Sequence, residues 1–212
     1  VIANSLITFL VAGTFYYSFG AFINPLKRQF DWSTAQISLA FSIRSIESGP
    51  LGPVAGYCVD RFGARIVTLV GVGFAGLGFF LLSRMDSLFD FYLAWVVMAV
   101  GTSGCLGVTP ITNIANWFVR QRGRAMGFYF LSGGLSGLLV PVVAMLLHAY
   151  GWRITFLIIA IAIWTMCLPL AFLLRHRPEP YGLRPDGEPV CAGDGPQAEE
   201  LEGLTTRKAL KS

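Results

Sequence analysis

Gly56-Tyr57-Cys58-Val59-Asp60-Arg61-Phe62-Gly63-Ala64-Arg65 is a charged, glycine-punctuated turn set between two long apolar runs. The run before it ends at Tyr57, and the run after it begins at Ile66. Both runs are long enough to cross a bilayer, so the turn belongs at a membrane face. Gly56 removes a side chain where helices would approach closely, and Gly63 permits a sharp reversal of the chain. Asp60, Arg61 and Arg65 gather charge at the helix ends.

Composition places the whole chain in the membrane. Of its 212 residues 54% are hydrophobic and 13% charged, with a mean hydropathy of +0.62. A soluble domain has about a quarter of its residues charged, so this is an integral membrane protein whose first partner is the lipid bilayer. The net charge of +4 does not point to nucleic acid, because the basic residues are spread among short loops. Cys105 and Cys167 lie inside apolar runs, Cys58 at a loop edge and Cys191 in a polar tail. They read as free thiols without metal-ligand spacing. The histidines, His148 and His176, lie near span ends, and no carboxylate or Cys/His cluster has catalytic spacing. An enzyme is therefore not expected, nor a cofactor, nor a metal site. Val1 already stands inside an apolar segment too long for a signal-peptide core, which reads as a truncated start.

Outward from the turn, six apolar runs emerge, at about residues 2–26, 35–57, 66–83, 91–118, 125–147 and 154–174. The first carries Gly13 and Gly20 seven apart, which suits one close-packing face. Its Thr14, Tyr16, Tyr17 and Ser18 either face an aqueous cavity or hydrogen-bond within the membrane. Ser33 or Thr34 is positioned to cap the second run, with Trp32 at the interface. The second run alone holds full charges in its interior, Arg44 and Glu47. Pro50 and Pro53 in its second half predict a kink. The third, with Gly71, Gly73, Gly76 and Gly78, reads as a packing or lipid-facing helix. The fourth includes Asn113, and the sixth is the most uniformly apolar and faces lipid.

At about 1.5 Å per residue Arg44 lies roughly 24 Å along the helix from Asp60, and Glu47 roughly 20 Å. In a core about 30 Å thick both sit near mid-depth, where a charge needs a wet cavity or a partner. Arg44 and Glu47 are three apart and share a face, so they pair with each other or serve a ligand. Residues 178–212 change character to proline, glycine and glutamate, and read as a polar cytoplasmic linker after a six-helix unit over residues 1–177. Arg61, Arg65, Arg120, Arg122, Arg124, Arg175 and Arg177 fall on one side, against Lys27, Arg28, Arg84 and Arg153 on the other. The bias puts the first set in the cytoplasm.

The pattern Gly-x-x-x-Asp-Arg-x-Gly-x-Arg over residues 56–65 resembles the loop between the second and third helices of major facilitator superfamily transporters. Asn116-Trp117-Phe118 with Arg122-Gly123-Arg124-Ala125-Met126-Gly127 resembles the approach to that family's fifth helix, and Tyr150-Gly151-Trp152-Arg153 the approach to its sixth. Pro178-Glu179, Gly182-Leu183 and Pro185-Asp186-Gly187 are similar to the exit in a bacterial branch related to monocarboxylate and oxalate/formate carriers. Trp32-Ser33 suits the same branch. The pattern departs from proton-coupled drug exporters, with Val97 at their arginine position and Val140 before Pro141 where they carry Gly-Pro.

This resemblance implies an all-α integral membrane fold of twelve helices in two halves, each half two inverted three-helix repeats. The chain is expected to supply one half, to lack a second six-helix half, and to lie as a multi-pass protein in the inner or plasma membrane. The implied function is alternating-access transport of a small organic anion of monocarboxylate type. A carrier for a neutral solute or drug and a non-transporting receptor are the alternatives. Arg44, Glu47, Tyr17 and Asn113 are the expected substrate residues, with a coupling proton on Glu47 as one option. Gly56, Asp60, Arg61, Gly63 and Arg65 are the expected gating loop.

Overall fold

A computed structural model describes residues 1–174, apart from the side chains of Phe41 and of residues 44–50. The expected linker over 178–212, Arg175 and Arg177, and the side chains of Arg44 and Glu47 lie outside the described residues. The described chain is helical almost throughout. Ile2–Phe30, Ala64–Arg84, Leu88–Trp117 and Arg122–Phe172 are each long and apolar enough to cross a membrane. The last stretch has 51 residues and as one rod would measure about 76 Å, far beyond a bilayer. It breaks at Gly151 (φ 76°, ψ 171°), which divides it into residues 122–150 and 152–172. With Thr34–Phe62 these make the six expected spans.

The first span is not a uniform helix. An α-helix over Ile2–Ala12 widens into a π turn at Gly13–Tyr17, tightens to 3₁₀ at Phe19–Phe22 and resumes as α over Ile23–Phe30. Thr14 Oγ1 donates to the Leu10 carbonyl at 2.8 Å and Ser18 Oγ to the Gly13 carbonyl at 2.7 Å. Both hydroxyls therefore serve their own backbone, while Tyr16 and Tyr17 remain exposed. Asp31 ends the span in the left-handed region (φ 55°), which a short polar side chain tolerates.

Ser33 then opens the second span with a reciprocal capping box, accepting from Gln36 N while Gln36 Oε1 accepts from Ser33 N. That span is helical without a break from Thr34 to Phe62, and Pro50 and Pro53 lie within it. The hydroxyl of Tyr92 donates to the Gln36 carbonyl at 2.9 Å, tying the start of the second span to the fourth.

Aromatic rings from four spans fill the centre of the bundle. Phe22 stacks on Phe156 with centroids 4.2 Å apart, and Phe19 meets Trp95 edge-on at 4.7 Å. Phe15, Phe79 and Phe91 complete a core with no exposure beyond 1%. Between apolar helices in lipid, close packing takes over the role that water exclusion plays elsewhere.

The third and fourth spans show this directly. A Cβ on Gly71 would lie 2.8 Å from the Gly101 carbonyl, and one on Gly78 would lie 2.6 Å from Met98 Cβ. The third span is thus a packing helix on that face, while Ile66, Val70 and Phe74 stay exposed on the other. The sixth span divides similarly, burying Phe156, Ile159 and Ile163 and exposing Ile154, Ile161 and Met166. Trp164 Nε1 donates to the Gly73 carbonyl at 3.3 Å and closes it on the third.

Three glycines behave otherwise than their spacing implied. Gly13 packs tightly, with Leu139 Cδ1 2.6 Å from its missing Cβ, but Gly20 and Gly73 face open space. Gly56 would place a Cβ 3.8 Å from Val108 Cγ1, an ordinary contact rather than a forced close approach.

Candidate functional site

The 56–65 turn is built by one residue. Gly63 (φ 85°, ψ 152°) ends the second span, donating to the Val59 carbonyl at 2.9 Å, and starts the third. A side chain there would be strained, so the expected reversal at Gly63 is present. Val59 and Ala64 are fully buried and anchor the turn, whereas Asp60, Arg61 and Arg65 are exposed. Arg61 Nη1 donates to the Tyr57 hydroxyl at 2.9 Å. Arg65 lies 5.4 Å from the centre of the Phe172 ring and so rests on the end of the sixth span. Among the described residues Asp60 pairs with neither arginine. The charges splay outward from a rigid turn instead of neutralising one another.

The expected substrate residues occupy different levels. Tyr17 is 50% exposed on the π turn of the first span, with its ring 3.8 Å from the Cβ position of Gly137 in the fifth. Asn113 is 5% exposed in the fourth span. It borders a cavity of about 230 Å³ shared with Val1, Ala3, Trp117 and Leu174. From Ala3 to Tyr17 is roughly 21 Å along the first span, so these two residues do not meet. Arg44 and Glu47 stand on the unbroken second span, whose helix places residue 44 roughly 24 Å from Asp60.

Sequence reasoning missed a buried polar seam where the first, fourth and fifth spans converge. The fourth span breaks at Leu106 and Gly107 (φ 71°), between the helices Leu88–Cys105 and Val108–Trp117. The Tyr129 hydroxyl lies against Thr8 and the backbone of Gly107. The Ser5 and Thr109 hydroxyls are sealed from solvent and complete no hydrogen bond among the described residues. A buried hydroxyl without a partner costs about 1–3 kcal/mol, so hydroxyls in this setting are poised to take up water or a ligand. The signal in sequence was faint. Isolated hydroxyls in apolar runs ordinarily bond back to their own helix, as Thr102, Thr155 and Thr165 do here.

At the opposite end, Trp152 Nε1 donates to Gln29 Oε1 at 2.6 Å, and Arg153 Nη2 meets Asp86 Oδ1 at 2.6 Å and the Met85 carbonyl at 3.2 Å. These contacts fasten the first, third and sixth spans together around the short 84–88 loop.

Residues 5–211 match the family described as the Major Facilitator Superfamily. The chain belongs to that superfamily. Its members are carriers rather than enzymes. The chain is 28% identical over 161 residues to an oxalate:formate antiporter of Oxalobacter formigenes, covering 75% of this chain and 38% of that protein. It is 32% identical over 199 residues to monocarboxylate transporter 11 of Homo sapiens, covering 91% of this chain and 40% of that protein. A solved structure of a proton:xylose symporter bound to 6-bromo-6-deoxy-D-glucose shares the fold, with a TM-score of 0.65 at 17% identity over 84% of this chain and 45% of that one. The chain thus spans about two fifths of the length of the curated relatives it matches. The described residues form helices and no strands, and their fold corresponds to half of such a transporter.

Proposed function

We propose that this chain forms the first half of a secondary carrier for small organic anions of monocarboxylate type, working by alternating access. The carrying observation is Arg44, a full charge at mid-depth of a continuous membrane helix. A guanidinium presents a planar fork that matches a carboxylate, and in the membrane interior such a charge requires an anionic partner or water. The similarity to an oxalate:formate antiporter and a monocarboxylate transporter supports the same substrate class.

In this reading Arg44 binds the carboxylate, and Glu47 balances the empty site or carries a coupled proton. The second six-helix half supplies the facing wall. The exposed Asp60 and the Arg65 that rests on Phe172 work the gate as the halves rock, with the 56–65 turn and the C-terminal tail in the cytoplasm. The test is uptake of labelled monocarboxylate into vesicles containing the complete carrier. Arg44→Lys is expected to raise the half-saturation concentration at least tenfold, about 1.4 kcal/mol, at unchanged surface expression. Wild-type transport by Arg44→Lys, or by Arg44→Met/Glu47→Met, would reduce the pair to a structural role.

A further inference from the structure

A cavity of about 630 Å³ lies at the end of the bundle opposite the 56–65 turn, between the end of the first span and the turn joining the fifth and sixth. Its polar lining comes from Asn24, Arg28, Gln29, His148 and Trp152, and it holds no carboxylate. The indole N–H of Trp152 occupies Gln29 Oε1, which fixes that amide so that its remaining polar group is the NH₂ donor. Arg28 contributes up to five N–H donors and a permanent charge, and Asn24 a second amide. Among the described residues Arg28 makes no ion pair. Neither nearby carboxylate, Asp31 or Asp86, forms an ion pair with it. Lys27 turns its ammonium to Thr34 Oγ1 at 2.8 Å, Asp86 is taken by Arg153, and Asp31 follows Arg28 by a helical turn as an exposed residue. A donor-rich, positively charged cavity of this size with no acidic lining has the chemistry of an anion site.

We propose that this vestibule is a capture site for small carboxylates, separate from the mid-depth Arg44. Arg28 and the Gln29 and Asn24 amides grip the anion, and the Trp152 ring forms the wall beside it. It shares with the proposed function only the substrate class. The two sites would be visited in succession, with the vestibule raising the local anion concentration at one membrane face. Gln29 is a positioning residue as well as a donor, because its hydrogen bond orients Trp152.

The 212-residue chain, labelled with 5-fluorotryptophan and held in nanodiscs of zwitterionic lipid, supplies the test. Trp152→Phe assigns the Trp152 fluorine resonance. Sodium formate and sodium oxalate are then titrated at constant ionic strength against sodium chloride and sodium phosphate. A saturable shift of Trp152 with the carboxylates, absent at Trp117 near the other face, is the expected result. Arg28→Gln should raise its midpoint at least tenfold and Asn24→Ala about threefold, with the other tryptophan resonances unmoved as the check on folding. No saturable carboxylate shift, an undiminished shift in Arg28→Gln, or a stronger response to phosphate than to either carboxylate would each overturn the assignment. Failure of the Arg44 reading leaves this result untouched. Loss of the Trp152 response leaves uptake through Arg44 standing.

Discussion

Replacing Gly101 by alanine tests whether the third and fourth spans really touch backbone to backbone. The new methyl would press on the amide of Ala75, lie 2.7 Å from the Phe74 carbonyl carbon and 2.8 Å from the Gly71 oxygen. Comfortable carbon contacts begin near 3.5 Å, and main chain cannot rotate aside, so the two helices must part by roughly 1 Å. A gap of that size forfeits about a quarter to a half of each dispersion contact it opens. Overpacking of this kind costs about 1–3 kcal/mol, and the better helix propensity of alanine returns about 1. A net loss of up to about 2 kcal/mol lowers the apparent melting temperature by up to roughly 8 °C for a chain this long. Cys105 and Cys167 are 2% and 0% exposed, so a thiol-reactive fluorophore reports their release during thermal unfolding. Gly73→Ala, on the third span but facing open space, is the control and should melt at or slightly above the parent. Equal melting of Gly101→Ala and Gly73→Ala would refute the packing argument.

Other expectations are simpler. Asp60→Asn in the complete carrier should abolish transport while substrate binding persists, measured by uptake alongside equilibrium binding; unchanged uptake would make it an ordinary exposed aspartate. Thr109→Val removes a sealed hydroxyl without a partner, so thermal stability should hold or rise by about 1 kcal/mol. A drop in transport in that stable variant would assign the seam a role, and a drop in stability would show that the hydroxyl is satisfied. Asp86→Ala breaks an ion pair whose side chains are 43% and 77% exposed, so the loss should stay under about 1 kcal/mol and shrink at high salt. Cysteine placed at Arg122 should resist an impermeant thiol reagent in intact cells, and rapid labelling would reverse the proposed orientation.

The spans other than the second were legible because lipid leaves the backbone no option but to bond within its own helix, so length and apolarity locate them; the second, which carries Arg44, Glu47, Pro50 and Pro53, was located by its length and its place between its neighbours. The Gly63 reversal was legible too, since a charged turn between two such runs must double back in few residues. Which glycines pack was not. Gly71 and Gly73 read alike in sequence, and only the rotation of the helix against its neighbour sends one into the Gly101 backbone and the other outward. Nor could spacing show that Thr14 and Ser18 feed a π turn while the Ser5 and Thr109 hydroxyls stay sealed without partners among the described residues, because the difference arises between spans. For the candidate site, Arg44 and Glu47 stood out by charge, whereas the separation of Tyr17 from Asn113 follows from their levels in the bundle.

Gly151 has a consequence for how the protein is made. The fifth and sixth spans are joined by that single non-helical residue, so there is almost no connecting loop for a ribosome-bound chain to thread across the membrane. Neither segment can settle transversely without dragging the other, and the pair must enter the bilayer as one helical hairpin. Its backbone angles are open essentially to glycine alone, so a side chain at this position costs about 1–3 kcal/mol during insertion as well as in the finished fold. A substitution here should therefore be read first as a defect of biogenesis, seen as lost membrane yield, before any surviving molecules are asked whether they transport.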